Sequence, residues 1–594
     1  MRTLRVLALA LKAMLGLIAS DAIAQTPAAP SSSSQSSSSA SVPTFLITGF
    51  LDQLMTYSNN TSNIDSDLHR KDYLFYGRTR GRFDIVGEYG TAKAVLGLEM
   101  DLVYGQTGSG NTNVANLGGA QTAANGPVNV WFGTDGSFSL NTDVRGILEI
   151  KWLYTEFQVP YIPYPTTVRL GAQPFGSAAS YKLAAYANGD FAGVNVVTTI
   201  ARNVKLVATY VAVEEMLTGR QQTTGTQPPT NSFLGVNPFQ LRGDDWAFIL
   251  APEITPIKGL DLKPMYAYFT ASGTTNQAAR QTRGGIGPTF SNPPGWFQVN
   301  CGAGAPAWQN GPDCSGNNAN GAWRKGMNES RHTIGLDARY RNGPFSLDPT
   351  VYYQFGNRSV IAPTLATGLY GPFLTPFLDA GVAPGHKYTA NLSAWFVDVR
   401  GGYEIGPVLL EAMAMYTTGN SARDTTLGTV KYYQPLSTDT SYLADWGGQL
   451  TALGIDYLDA LLESSLTPGL TVGWDKYGRI QLGVRATYAW TPNFSLYGGW
   501  NGHWTPHPIQ KNALFTPIGL VPLFTGQAAN SKSSYVGTEI FAGLTWRFAP
   551  GVALDAAGGY MWTGPALDAI TIPPVSPREA RNAYILTSRI RFSF

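Results

Sequence analysis

Charge is scarce in this chain. Asp, Glu, Lys and Arg make up 13% of its 594 residues, about half of the ~25% usual in soluble domains. Long apolar runs are scarce too. After residue 24 no stretch has the roughly 20 apolar residues that a membrane helix needs, and mean hydropathy is −0.08. If the chain crosses a membrane, it does so with strands, because only helices and closed barrels satisfy every backbone group in hydrocarbon. Histidine is limited to positions 69, 332, 386, 503 and 507. No Gly-x-Ser-x-Gly elbow, His-Glu-x-x-His pair or phosphate loop is present, so the expectation is that the protein is not an enzyme. A Ser-His hydrolase would need a loop His brought to a Ser in space, and His332 falls on the outward parity of its strand. His503-Trp504-Thr505-Pro506-His507 has two His four apart, but Pro506 breaks the helix that would present them to one metal. Neither metal nor cofactor is expected.

An excess of one sign of charge is lacking as well. Removing residues 1–24 takes three bases and one acid from 41 and 39, leaving 38 of each. Nothing then calls for nucleic acid.

Glycine is abundant, at 66 residues, or about 11% against a usual ~7%. Aromatics stand at 12%. The mixture suits a large apolar exterior made of strands and tight turns. Residues 1–24, with basic Arg2 and Arg5, a mostly apolar run and the small-residue site Ala22-Ile23-Ala24, read as a cleaved export signal. Residues 25–44, rich in Ser, Pro and Ala, read as a flexible leader. Residues 45–594 form the third unit.

There, segments of about ten residues with period-two alternation recur from 45–56 to 583–594. We count eighteen, with sixteen as the alternative. They are joined alternately by eight tight turns, such as Asn342-Gly343-Pro344 and Gly406-Pro407, and nine long connections. This asymmetry, with both termini on the short-turn side, predicts an all-β transmembrane antiparallel barrel with short periplasmic turns and long outer loops. A barrel of that width leaves an aqueous channel.

Alternation also sorts the lining. With Phe83 and Ile85 facing lipid, Arg78, Arg80, Arg82 and Asp84 face inward, and on the return strand Lys93, Glu99 and Asp101 do so. A four-residue turn at 87–90 would pair Asp84 with Lys93 and Arg78 with Glu99. A slip of two residues would give Arg80 with Glu99 and Arg78 with Asp101. The same parity places Glu149, Lys151, Arg169, Arg339, Arg341, Arg400, Glu411, Arg485, Arg547, Arg589 and Arg591 inward, and Trp152, Ile334, Val399 and Ile590 outward. Arg is frequent on this face, but Asp337, Asp348, Asp398, Glu404, Glu539 and Asp555 share it, so the expectation is at most a slight anion preference. Cys301 and Cys314, the only cysteines, lie in one outer loop and are expected to form a structural disulfide. The amphipathic segment 441–466 is either a helix packed over or into the mouth or a surface loop.

The last strand, YILTSRIRFSF, puts Tyr584, Leu586, Ile590, Phe592 and Phe594 on one face. Together with the export signal and the alternating strands, it resembles the C-terminal assembly signal of Gram-negative outer-membrane porins. The hairpin from Val536 through Trp546-Arg547-Phe548 to Asp555 is similar to that of alginate-export-type barrels, which have eighteen strands. The resemblance implies a passive channel for small hydrophilic solutes in the outer membrane, contacts with outer-membrane lipid and lipopolysaccharide, and insertion by the barrel-assembly machinery. It leaves monomer and homotrimer open. Its alternatives are a saccharide or uronate channel and a plugged surface scaffold or adhesin.

Overall fold

The computed structural model describes residues 42–60, 73–104, 140–141, 148–175, 184–214, 245–272, 296–300, 320–325, 328–361, 387–419, 429–438, 446, 478–508, 510–511, 529–530, 533–567 and 581–594. The export signal, nearly all of the leader, Cys301, Cys314 and all of 441–466 except Trp446 lie outside them.

Eighteen strands make one wall. They are β1 (Thr44–Asn59), β2 (Tyr73–Tyr89), β3 (Ala92–Tyr104), β4 (Leu148–Gln158), β5 (Thr166–Phe175), β6 (Ala187–Ala201) and β7 (Val204–Glu214). Next come β8, in two pieces (Asp245–Leu250 and Glu253–Ile257), β9 (Leu260–Ser272), β10 (Asn328–Asn342), β11 (Phe345–Ile361), β12 (Lys387–Ile405) and β13 (Val408–Thr417). The last are β14 (Arg479–Thr491), β15 (Phe494–Trp504), β16 (Tyr535–Ala549), β17 (Val552–Thr563) and β18 (Ala583–Ser593). Each pairs antiparallel with its neighbours in sequence. The last returns to the first, from Phe50↔Ser593 to Asn59↔Tyr584, with Gly49 and Phe594 exchanging backbone hydrogen bonds at 3.1 Å. Closure gives the aromatic strand β18 a partner on each side, β17 and β1, and leaves no edge strand there.

The expected eighteen segments and the division into eight short and nine long connections both hold; the sixteen-strand alternative does not. Most short connections are two-residue turns. Gly90, Gly343 and Gly406 supply positive φ there (59°, 56° and 57°) with nothing near the missing Cβ. Both Thr44 and Phe594 lie at the short-turn end.

The two faces separate as alternation requires. On β18, Leu586, Ile590, Phe592 and Phe594 are 59%, 46%, 44% and 46% exposed, whereas Ile585 and Thr587 are 0% and 6%, so the even positions face outward. The outer face is a belt of Leu, Val, Ile, Ala and Phe bounded by two layers of aromatic rings. Near the short turns stand pairs such as Tyr488–Trp490, Trp546–Phe548 and Phe592–Phe594. Toward the long connections stand Tyr57–Tyr584, Tyr560–Trp562 and Tyr353–Trp395. His332 lies on this outer face, stacked on Phe355 with ring centroids 5.0 Å apart. An apolar band with aromatic girdles, a polar inner face and an even number of strands define a transmembrane β-barrel.

Two local expectations fail. The β2–β3 hairpin turns at 90–91, and its register is Arg80↔Asp101, Arg82↔Glu99 and Asp84↔Gly97. Neither predicted register occurs, because the ladder continues through Tyr89↔Ala92 beyond the glycine at which the sequence reading stopped it, although Arg80 still reaches Glu99 diagonally at 3.5 Å. Trp152 does not face outward. The register shifts between Gly97 and Leu98, leaving Lys151 as an extra residue on β4. A bulge of this kind reverses the parity beyond it, so Trp152, Tyr154 and Glu156 turn inward below the bulge.

Candidate functional site

The inner face carries charged residues in two settings. The more accessible set begins at Glu99, whose side chain is 4% exposed and is approached by Arg80 Nη2 at 3.5 Å, Lys151 Nζ at 3.5 Å and, more closely, Arg82. Lys151 also reaches Asp190 at 3.1 Å, and Trp152 Nε1 donates to the same carboxylate at 2.6 Å. Arg82 stacks 5.1 Å over the Trp152 ring. Toward the short turns, Glu156 joins Lys93 (2.8 Å) to Arg169 (2.6 Å). Arg339 pairs with Asp261, Arg341 with Asp348, Arg485 with Glu411, Arg589 with Asp555 and Arg591 with Asp52. Arg78 pairs along the backbone with Leu54 and Val103, Asp101 with Arg80, and Glu149 with Glu99. Arg547 shares the inward parity of β16 but lies exposed at the short-turn rim.

In most of these pairs the cation is the more exposed partner: Arg82 22% against Glu99 4%, Arg341 28% against Asp348 15%, Arg591 30% against Asp52 8%. Arg485–Glu411 and Arg589–Asp555 are nearly level, and Lys263–Glu253 is reversed.

The second setting is buried. Two segments that leave the wall lie inside it. Residues 429–430 pair in parallel with Asn391 and Leu392 of β12, and residues 437–438 pair in parallel with Ala187 and Asn188 of β6. Between these anchors the strap 429–438 buries Tyr433 and Leu436 against Ala185, Tyr186, Phe269, Tyr352 and Phe396. Tyr433 Oη donates to Ala185 O at 2.9 Å, and Leu436 N donates to Tyr186 O at 2.8 Å. Burial pushes the phenols of Tyr186 and Tyr433 up, so this part stays neutral.

Gln434 fixes the strap to β10 and β11. Its Oε1 accepts from Arg331 Nη1 (2.7 Å) and Arg358 Nη2 (2.5 Å), both of which also pair with Glu329 at 2.9 Å. Its backbone exchanges two hydrogen bonds with the Gln354 side chain, at 2.7 and 2.8 Å. Trp446 plays the same part further round: Nε1 donates to Asn501 Oδ1 at 2.6 Å, its carbonyl accepts from Arg485 Nη1 at 2.6 Å, and Arg485 stacks 5.0 Å over its ring. Arg400, paired with Asp398 at 3.1 Å, is buried in this region, as are Arg479 and His503.

Alternation by itself does not separate accessible from buried positions. It missed Trp152 and Glu156, whose parity the bulge reverses, and it missed Asp190, Asp52 and Gln434. Asp52 is legible in retrospect, since it alternates with Leu51 and Gln53 opposite Arg591.

No protein-family model matches the chain, and no curated protein matches it. Solved structures with similarity include a BenF-like porin from Pseudomonas fluorescens Pf-5, at 9% identity and a TM-score of 0.43, covering 93% of this chain and 98% of that one. OccK8 (OprE) of Pseudomonas aeruginosa gives 10% identity and 0.41 over 93% and 98%, and OccD3 (OpdP) of the same organism 9% and 0.38 over 92% and 91%.

Proposed function

We propose that the barrel is a passive outer-membrane channel for small hydrophilic solutes, sorted by size and charge, with a slight preference for anions. The observation that carries this reading is the contrast in the lining. Well up β2 and β4, Arg80, Arg82 and Lys151 keep side-chain exposures of 18%, 22% and 23%, whereas Arg331, Arg358 and Arg479, also far from the short turns, are at 1%, 3% and 3%. A solute path then runs from the short-turn mouth along the β2–β4 wall, past the three cations Arg80, Arg82 and Lys151 and the two carboxylates, Glu99 and Asp190, that they hold. The cations being the more exposed partners favours anions, since the field a solute meets is set by the ends of the ion pairs that reach water.

The belt and its girdles support membrane insertion, and the termini at the short-turn end support an orientation with those turns in the periplasm. Cleavage after Ala24, assembly by the barrel-assembly machinery and contact with lipopolysaccharide belong to the same reading. It involves no catalytic step and no cofactor. The test is conductance in a planar bilayer under asymmetric salt. Stable ohmic steps are expected, with a reversal potential on the anion side that moves toward cations when Arg80 and Arg82 are changed to Ala. Silence from folded, inserted protein would sink the channel and favour a plugged scaffold.

A further inference from the structure

Between the girdles, one described side-chain amide turns outward: Gln53 of β1. Its parity is that of Leu51 and Met55, which are 36% and 52% exposed, while Asp52 and Leu54 on either side are buried. Its depth is fixed by register. Leu51 faces Phe592 of one aromatic layer, Gln53 faces Ile590, and Tyr57 reaches Tyr584 of the other layer. Gln53 is thus inside the belt, where neighbouring outward positions are apolar or carry little side chain, as at Gly49, Gly81 and Ser588.

Thr79, opposite on β2, donates its hydroxyl to Gln53 Oε1 at 2.7 Å. That contact uses one of the oxygen's two lone pairs. The other lone pair and both Nε2–H donors have no partner among the described residues. In hydrocarbon they have nothing to bond with, and no backbone of this closed sheet is left over to serve them.

An amide is its own complement. Two brought together across a symmetry axis each donate Nε2–H to the other's free Oε1 position, and an isologous contact of one patch with itself is the commonest closed assembly. We propose that a second copy of this chain covers the outward face of β18, β1 and β2, with Gln53 paired to the partner subunit's Gln53 at its centre. This rests on the reading of the barrel as membrane-embedded.

The test is oxidative cross-linking in native membranes. Gln53→Cys is compared with the unmodified protein, which carries Cys301 and Cys314, and with Leu410→Cys, an outward position of β13 that is 45% exposed. Gln53→Cys is expected to give a reducible band at twice the chain mass, with the other two remaining at single mass. In detergent, Gln53→Leu is expected to lower the dimer-to-monomer ratio about ten-fold by light scattering, the scale of one membrane hydrogen-bonded contact. A Gln53→Cys protein that stays at single mass, or Leu410→Cys cross-linking as strongly, overturns the proposal. Heat-modifiable mobility and alkali-resistant membrane association of each variant are read in parallel. If these are absent, the membrane reading itself fails; if present without cross-linking, only the dimer fails.

Discussion

Replacing Gln434 by Leu tests whether the strap governs the width of the channel. Its Oε1 accepts from two guanidiniums that are almost wholly buried, Arg331 and Arg358. A hydrogen bond to a charged group contributes about 1.5–3 kcal/mol. Because both share one acceptor atom, and both guanidiniums retain Glu329, the combined loss is about 3 kcal/mol, or roughly a 100-fold fall in the ratio of docked to undocked strap. The backbone contacts to Gln354 and the burial of Tyr433 and Leu436 remain, so the barrel itself should fold. In single-channel recordings the variant is expected to make frequent excursions to a larger conductance that are rare in the unmodified protein. Gln434→Glu keeps an acceptor for both guanidiniums and should stay quiet. If Gln434→Leu is folded and shows unchanged conductance and noise, the strap does not limit the path and the reasoning is refuted.

Other outcomes follow from the same geometry. Trp446→Ala removes the bond to Asn501 and the ring under Arg485; it should raise current noise without moving the reversal potential, which ion-selectivity recordings would detect. Asp52→Asn breaks the ion pair across the closing β18–β1 seam. With Arg591 partly exposed the cost should be about 1–3 kcal/mol, below the 3–5 kcal/mol of a fully buried pair, and is read from the urea midpoint of the folded-to-unfolded gel shift. An unchanged midpoint would show that the seam is held by its ladder alone. Val484→Lys puts a charge on the outer belt, where it should cost about 2–4 kcal/mol; an equal effect from Thr545→Lys on the inner face would contradict the assigned parity.

The wall was legible because its physics is periodic. Each strand has one apolar and one polar face, so reading residues in twos recovers strand number, turn placement and the inward position of residues as far apart as Arg169 and Arg589. Legibility ended where period two was interrupted. The bulge at Lys151 reversed Trp152 and Glu156 without any change in composition to announce it. The turn of β2–β3 was misplaced because Gly87 and Gly90 both satisfy turn chemistry, and only the full ladder chooses between them. The strap was beyond reach for a different reason: residues 429–438 have no alternating pattern, and Gln434 becomes important only through Arg331 and Arg358, while the strap's two anchors, Ala187 on β6 and Leu392 on β12, are about two hundred residues apart with five wall strands between them. The burial that distinguishes Arg400 from Arg82 depends on those same segments.

The order of residues along the chain gives the strap one more property. Its described wall partners, on β6, β9, β10, β11 and β12, all precede it, while the strands that complete the ring, β14 to β18, all follow. The strap can therefore be laid onto an open, curved sheet and enclosed afterwards, without being threaded through a finished ring. Trp446 waits for later strands, since Arg485 belongs to β14 and Asn501 to β15.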